Sequence, residues 1–201
     1  MKQDAIKIYT EAEEHMKSVL NDLSKLSTDG MEAMLKLAKP VTFRKKQIIY
    51  QEGEIAQKLY FIHKGIVMAY YYVDDKLTID RFIKEGEFIG GQVSYSTKIP
   101  SNLTFVTLEE SVMLELDANS FLKLCADSHE IQSVYSLYLT QHFKRYSDMI
   151  VAFRALTAED KYAKFMELYG TLVNRISLRN IAIFLGMKHE TLSRIRSRMG
   201  K

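Results

Sequence analysis

Between Glu130 and Phe153 the chain carries neither glycine nor proline. At 3.6 residues per turn that run forms roughly six and a half turns of unbroken helix. Ile131, Val134, Leu137, Tyr138, Tyr146, Met149, Ile150 and Phe153 cover more than one face of it. A helix with two apolar faces packs on its own domain and on something else, and a second copy related by a twofold axis is the commonest answer. A single long core helix is the plainer alternative. Either way, the run divides the chain into two parts with different hydrophobic periods.

On the N-terminal side, residues 4–39 read as helices. Ile8, Ala12, Met16 and Leu20 form one stripe, and a break falls around Ser24–Gly30. Thr28 is the expected cap of a second helix that turns Met31, Met34, Leu35 and Ala38 inward and ends at Lys39-Pro40, because a residue before proline avoids the helical region. The period then becomes that of strands. Val41–Phe43, Gln47–Tyr50, Leu59–His63, Ile66–Val73, Leu77–Ile83, Leu103–Leu108 and Val112–Leu116 are short and rich in β-branched and aromatic residues. Gly53, Gly65, Asp74-Asp75, Gly86, Gly90-Gly91 and Pro100 punctuate them. Seven or eight strands at that spacing imply a sandwich or roll. A short helix follows over Asn119–Ala126, and Ser128 is placed to cap the long one.

Beyond the long helix, Thr157 with Asp160 has the spacing of a helix start, and Gly170 is expected to close that helix. Leu178, Ile181, Ala182 and Leu185 then recur at i, i+3, i+4, i+7 with Ser177 as cap. Leu192, Ile195 and Met199 make a second stripe beyond Gly186, whose residue type permits a tight turn. Two short amphipathic helices around such a turn form a helix-turn-helix. With the second stripe inward, Glu190, Ser193, Arg194 and Ser197 face outward, flanked by His189, Arg196 and Arg198. Arginine reads guanine, glutamate reads cytosine and serine reads either. An ordinary amphipathic helix with a Glu190–Arg194 ion pair is the alternative.

The charge is divided to match. Residues 171–201 carry Arg175, Arg179, Lys188, Arg194, Arg196, Arg198 and Lys201 against Glu190 alone, a net +6, which leaves −3 on the remainder of a chain with net charge +3. A basic terminal module behind a mildly acidic body suits nucleic acid. The single cysteine, Cys125, fits a reducing compartment and excludes an all-cysteine zinc or iron–sulfur site within one chain. Met1–Leu20 is mixed and charged, so neither a signal peptide nor a membrane span is expected, and the cytoplasm follows.

The order of these parts resembles the Crp/Fnr family of bacterial transcription regulators. Tyr50-Gln51-Glu52-Gly53-Glu54, Leu59–Gly65 and Gly86-Glu87-Phe88-Ile89-Gly90 look like the roll glycines of the cyclic-nucleotide-binding domain, and His189-Glu190-Thr191-Leu192-Ser193-Arg194 resembles the start of the recognition helix. The resemblance implies an α+β fold: N-terminal helices and an antiparallel β-roll of cNMP-binding type, a long dimerisation helix, and a small all-α C-terminal helix-turn-helix domain. The expected divisions are 1–128, 129–156 with the hinge at Leu156-Thr157, and 157–201. The implied partners are a second copy of the chain, double-stranded DNA with a near-palindromic site, and RNA polymerase. By the same resemblance Glu190 and Arg194 contact bases and His189 a base or phosphate. Lys188, Thr191 and Ser193 are candidates for phosphate or secondary contacts, and Arg179 and Arg196 add attraction to the backbone. Some relatives carry a β-hairpin wing beside this module, and little sequence remains for one here.

The resemblance stops at the ligand. Nucleotide-binding members follow the last roll glycine with a glutamate for the ribose and place an arginine downstream for the phosphate. Here Gly90 is followed by Gly91-Gln92, and Ser101 or Asn102 stands near the expected arginine, with Lys98 the nearby cation. That argues against cyclic AMP bound in the usual way. Gly90, Gly91, Gln92, Ser101 and Asn102, with Tyr146 and Ser147 from the long helix, are the candidate pocket for an effector of unknown identity. No cofactor is required by the sequence. His15, His63, His129, His142 and His189 are scattered, which argues against a metal cupin, and none sits in a haem-ligand pattern, although haem stays open. Tyr70-Tyr71-Tyr72 alternate in a strand and read as roll packing, with one of them lining a pocket as the alternative. No nucleophile elbow, phosphate loop or catalytic dyad marks an enzyme. The alternative is a small-molecule-binding module whose terminal helices make protein contacts.

Overall fold

The computed structural model describes residues 2–90 and 92–200. Among the described residues, helices α1 (Lys2–Leu23) and α2 (Thr28–Leu37) precede eight strands: β1 (Lys39–Phe43), β2 (Ile48–Tyr50), β3 (Lys58–Lys64), β4 (Val67–Val73), β5 (Lys76–Ile83), β6 (Phe88–Ile89), β7 (Thr104–Thr107) and β8 (Ser111–Asp117). Helix α3 (Gln92–Thr97) interrupts the strands, and α4 (Ala118–Asp127), α5 (His129–Ala155), α6 (Ala158–Tyr169), α7 (Leu178–Phe184) and α8 (His189–Arg198) follow them. By contact the chain forms two compact units, 1–69 with 82–139 and 70–81 with 140–201.

The strands form two four-stranded sheets, in the orders β1-β8-β3-β6 and β2-β7-β4-β5. The β1–β8, β3–β8, β3–β6 and β2–β7 pairs are antiparallel. In the first sheet, Leu59 to Ile62 of β3 and Ser111 to Leu114 of β8 are buried in succession instead of alternately. One face meets the roll interior, and α1, α2 and α4 pack against the other. Strands buried on both faces read as continuous apolar runs, and these do. Phe61, Ile62, Val67, Phe105, Met113 and Leu114 are the centre of this core.

Turn chemistry closes the roll. Asp74 and Asp75 both take positive φ, 46° and 59°, the pattern of the two-residue hairpin turn that matches strand twist. Gly65 has φ +118°, and a Cβ there would lie 2.1 Å from Ser111 Oγ. The β3–β4 connection therefore excludes any side chain on two independent grounds.

Several expectations shift by a residue or more. The cap of α2 is Ser27, not Thr28: its Oγ accepts from Gly30 N at 3.1 Å. The carboxylate of Glu130, at the start of α5, in turn receives the Ser27 N–H and hydroxyl. That long-range tie decides between two adjacent hydroxyl residues, which local sequence cannot. Gly170 ends α6, but in right-handed conformation with φ −56°, and the chain continues as a 3-10 turn over Gly170–Leu172. Strand β6 and helix α3 were not anticipated, being too short for a periodic signal. Tyr70 and Tyr72 do share a face, with ring centroids 5.8 Å apart, but Tyr72 is 58% exposed and so is not roll packing, while Tyr70 and Tyr71 are half-buried.

Candidate nucleic-acid interface and effector site

The terminal module is built as a frame around one exposed helix face. Thr157 Oγ1 accepts from Asp160 N and donates to Asp160 Oδ2, at 3.3 and 2.7 Å, a reciprocal cap on α6. Ser177 Oγ accepts from Asn180 N at 3.2 Å and starts α7. Gly186 takes φ +65°, and Met187 N donates to Ala182 O at 3.0 Å, ending α7 and aiming the chain into α8. Ile181, Ala182, Phe184, Leu185, Leu192 and Ile195 are buried, with Tyr162 and Phe165 of α6 beneath them. Phe184, which belongs to no expected stripe, meets Phe153, Phe165 and Tyr169 at ring centroid distances of 5.4 to 5.8 Å.

Met199 departs from the expected stripe: it is 41% exposed. It falls at the end of α8, past Arg198, where the helix has already closed. Arg198 Nη2 instead reaches back to Glu159 Oε1 of α6 at 2.7 Å, which holds that edge of α8 against the module. His189, Glu190, Ser193, Arg194 and Ser197 are exposed together; Thr191 and Arg196 are half-buried at the two edges, and Lys188 is exposed at the helix start. Arg179 is exposed in the first turn of α7. A positive, hydrogen-bonding ridge on a ten-residue helix is narrow enough for a major groove, about 12 Å wide.

The candidate effector residues are distributed among different neighbours. Gly90 is packed so that a Cβ would stand 3.3 Å from Leu59 and from Tyr95. Gly91 lies outside the described residues, and Gln92 opens α3. Ser101 spends its backbone on Gly53 and Glu54 and its hydroxyl on Leu103, while Asn102 is exposed. Lys98 stands on a turn with φ 60°, and its Nζ donates to Asn119 Oδ1 at 3.1 Å. In the second unit Tyr146 lies under the Arg81 guanidinium, 5.2 Å from the ring centroid, and donates to Asp80 Oδ2 at 3.4 Å. Asp80 also pairs with Arg81. Burial pushes the Tyr146 phenol well above its usual range. Ser147 is exposed.

The structure instead places a cavity of about 40 Å³ within the first unit. Leu20 and Leu23 of α1, Met34 of α2, Leu59 of β3, Phe88 and Gly90 line it, and Ile131, Val134, Tyr135 and Tyr138 of α5 close it. The lining tyrosines have hydrogen-bond partners: the Tyr135 and Tyr95 hydroxyls lie 2.7 Å apart, and Tyr138 Oη accepts from Phe88 N at 3.1 Å. Burial raises both members of the tyrosine pair. Among the described residues, Gly90 is the one expected pocket residue on this wall. The lining residues, spread over seven elements, gave no contiguous signal.

Residues 40–128 match the cyclic nucleotide-binding domain family. A curated relative, regulatory protein HlyX of Actinobacillus pleuropneumoniae, is 23% identical over 192 residues, spanning 89% of this chain and 78% of that one. The chain is thus similar over most of its length to regulators of the Crp/Fnr type. Among solved structures, FixK2 from Bradyrhizobium japonicum shares the fold with a TM-score of 0.70 at 21% identity, over 81% of this chain and 84% of that one. The c-di-GMP responsive global regulator CLP of Xanthomonas campestris superposes with a TM-score of 0.69 at 15% identity, over 87% and 92%. Among the described residues, no helix is long and apolar enough to cross a membrane.

Proposed function

We propose that the chain is a dimeric, sequence-specific DNA-binding transcription regulator, not an enzyme. The exposed ridge of α8 carries this reading: Glu190, Ser193, Arg194 and Ser197 stand out while Leu192 and Ile195 on the same helix are 0% and 1% exposed. In this reading Glu190 and Arg194 read bases, His189 touches a base or phosphate, and Lys188, Thr191, Ser193, Arg179 and Arg196 hold the backbone. Residues 1–128 form the effector domain, 129–156 the dimer helix and hinge, and 157–201 the DNA head. Phe143 and Ile150, 76% and 50% exposed, lie one heptad apart on α5, the spacing with which two helices seat against each other. Two heads then meet successive major grooves about 34 Å apart on a near-palindromic site, with RNA polymerase as the downstream partner in the cytoplasm.

The effector is not cyclic AMP bound in the usual way, and the apolar cavity supports a small uncharged one. Four α5 residues line that cavity, so its filling bears on the dimer helix and re-aims the heads about Thr157. The effector must prefer one arrangement for this to shift the population. Selection of bound duplexes from a random pool tests the reading. A palindromic consensus is the expected result; equal affinity for selected and random duplex at physiological salt would overturn it.

A further inference from the structure

The fold brings together two histidines that the sequence leaves 48 positions apart. His15 on α1 and His63 on β3 place their Nδ1 atoms 3.3 Å from each other. The rings stand at 71°, with centroids 5.4 Å apart, and His15 also packs edge-on against Phe61 at 5.1 Å. Phe61 is fully buried, and both histidines are half-buried beside it, so neither ring is a free surface side chain. Two imidazole nitrogens bound to one tetrahedral Zn²⁺, at metal–nitrogen distances of 2.0–2.1 Å, are separated by about 3.3–3.4 Å. The pair already has the length of one tetrahedral edge.

We propose that His15 and His63 form a binding site for a late first-row divalent cation, Zn²⁺ being the representative, which clamps α1 to β3. Burial, His15 and Lys64 disfavour positive charge on His63, while Glu11, one turn before His15, and Glu85, before the Gly86 turn, act the other way. Glu85 is held in place by accepting from Gly65 N at 2.9 Å. Among the described residues no group of three or more histidine, cysteine, aspartate or glutamate side chains has metal-site spacing. The two imidazoles are therefore the fixed ligands, and solvent completes the shell. Imidazole ligands select Zn²⁺, Ni²⁺ or Cu²⁺ over Mg²⁺ and Ca²⁺.

Without a cation, one ring donates its Nδ1–H to the other. With a cation, both Nδ1 atoms need a free lone pair, so the donating ring carries its proton on Nε2 and no proton is lost overall. The clamp lies on the helix that supplies Leu20 and Leu23 to the cavity, so it holds one wall of that cavity. The site goes beyond the DNA-reading function and stands without it.

The test uses the full chain, tag removed and treated with chelator, at neutral pH. Thermal unfolding is followed with ZnCl₂ or MgCl₂ in the wild type, His15→Gln and His63→Gln, and competition with a metallochromic indicator counts bound Zn²⁺. The expected result is a Zn²⁺-dependent rise of several degrees in the wild-type midpoint, with one tight equivalent per chain. Both are lost in each variant and absent with Mg²⁺. His15 sits on a surface helix, so His15→Gln decides the matter even if His63→Gln folds poorly; its metal-free midpoint reports that it is folded. An unchanged wild-type midpoint, or an equal Zn²⁺ response in His15→Gln, would overturn the proposal and assign any binding to His129, His142 or His189.

Discussion

Replacing Arg194 with alanine separates base reading from general attraction, and the structure supplies two matched controls. Arg194 is exposed on α8, with Glu190 one turn before it. An exposed i,i+4 pair contributes about 0.3–0.5 kcal/mol, so Arg194→Ala should leave the thermal midpoint of the terminal module nearly unchanged. A bidentate contact to a base is worth about 1–3 kcal/mol. A symmetric dimer loses it twice, which predicts about 2–6 kcal/mol, at least roughly thirty-fold, on the selected site. Affinity for random duplex should fall far less, since only one screened charge per head is removed. Arg179 sits in the first turn of α7, so Arg179→Ala should weaken both duplexes alike and lower the slope of log affinity against log salt by about 0.9 per head. Arg198, bound to Glu159 Oε1 at 2.7 Å, is the second control, and Arg198→Ala should change neither the preference nor the slope appreciably. Fluorescence anisotropy on both duplexes across a salt series reads all three variants. Equal losses for Arg194→Ala and Arg179→Ala, or an Arg198→Ala effect matching that of Arg194→Ala, would refute the placement of the reading face.

Phe165 is 0% exposed among Tyr162, Tyr169 and Phe184; Phe165→Ala should cost about 3–5 kcal/mol, abolishing DNA binding in calorimetry and binding assays while the roll still unfolds cooperatively. Gly65→Ala forces a side chain into φ +118° and onto Ser111; it should destabilise the roll by at least about 1–3 kcal/mol, measured by urea unfolding, and a Ser111→Gly background should restore only part of the loss. His142 titrates at about 4 in the folded chain, because burial and then Arg145 and Arg81 disfavour its charge. Its depressed value means that its contribution is complete above pH 6.5 and is lost as pH falls toward about 4, a change of order 3 kcal/mol. His142→Leu should flatten the pH dependence of urea unfolding over that window, and an unchanged profile would show that His142 does not carry it.

Much of this architecture is written in neighbouring residues. The long helix, the Thr157–Asp160 and Ser177 caps, the turn at Gly186 and the outward set Glu190, Ser193 and Arg194 all depend on spacings of three or four residues. Those interactions are local, so periodicity and residue type determine them before any tertiary contact forms. The same holds for the roll turns, where Asp74-Asp75, Gly65 and Gly86 state their own backbone requirement. What only the tertiary structure decided lies between elements distant in sequence. Glu130 chose Ser27 over Thr28 as a cap, Glu159 took Arg198 while Met199 stayed exposed, and Leu20, Leu59, Phe88 and Tyr138 enclosed a cavity that the expected polar pocket does not describe. His15 and His63 became partners because α1 packs on β3. A lone histidine or leucine carries no mark of the residue it will meet across a sheet, since that meeting is fixed by strand order and helix docking, not by spacing along the chain.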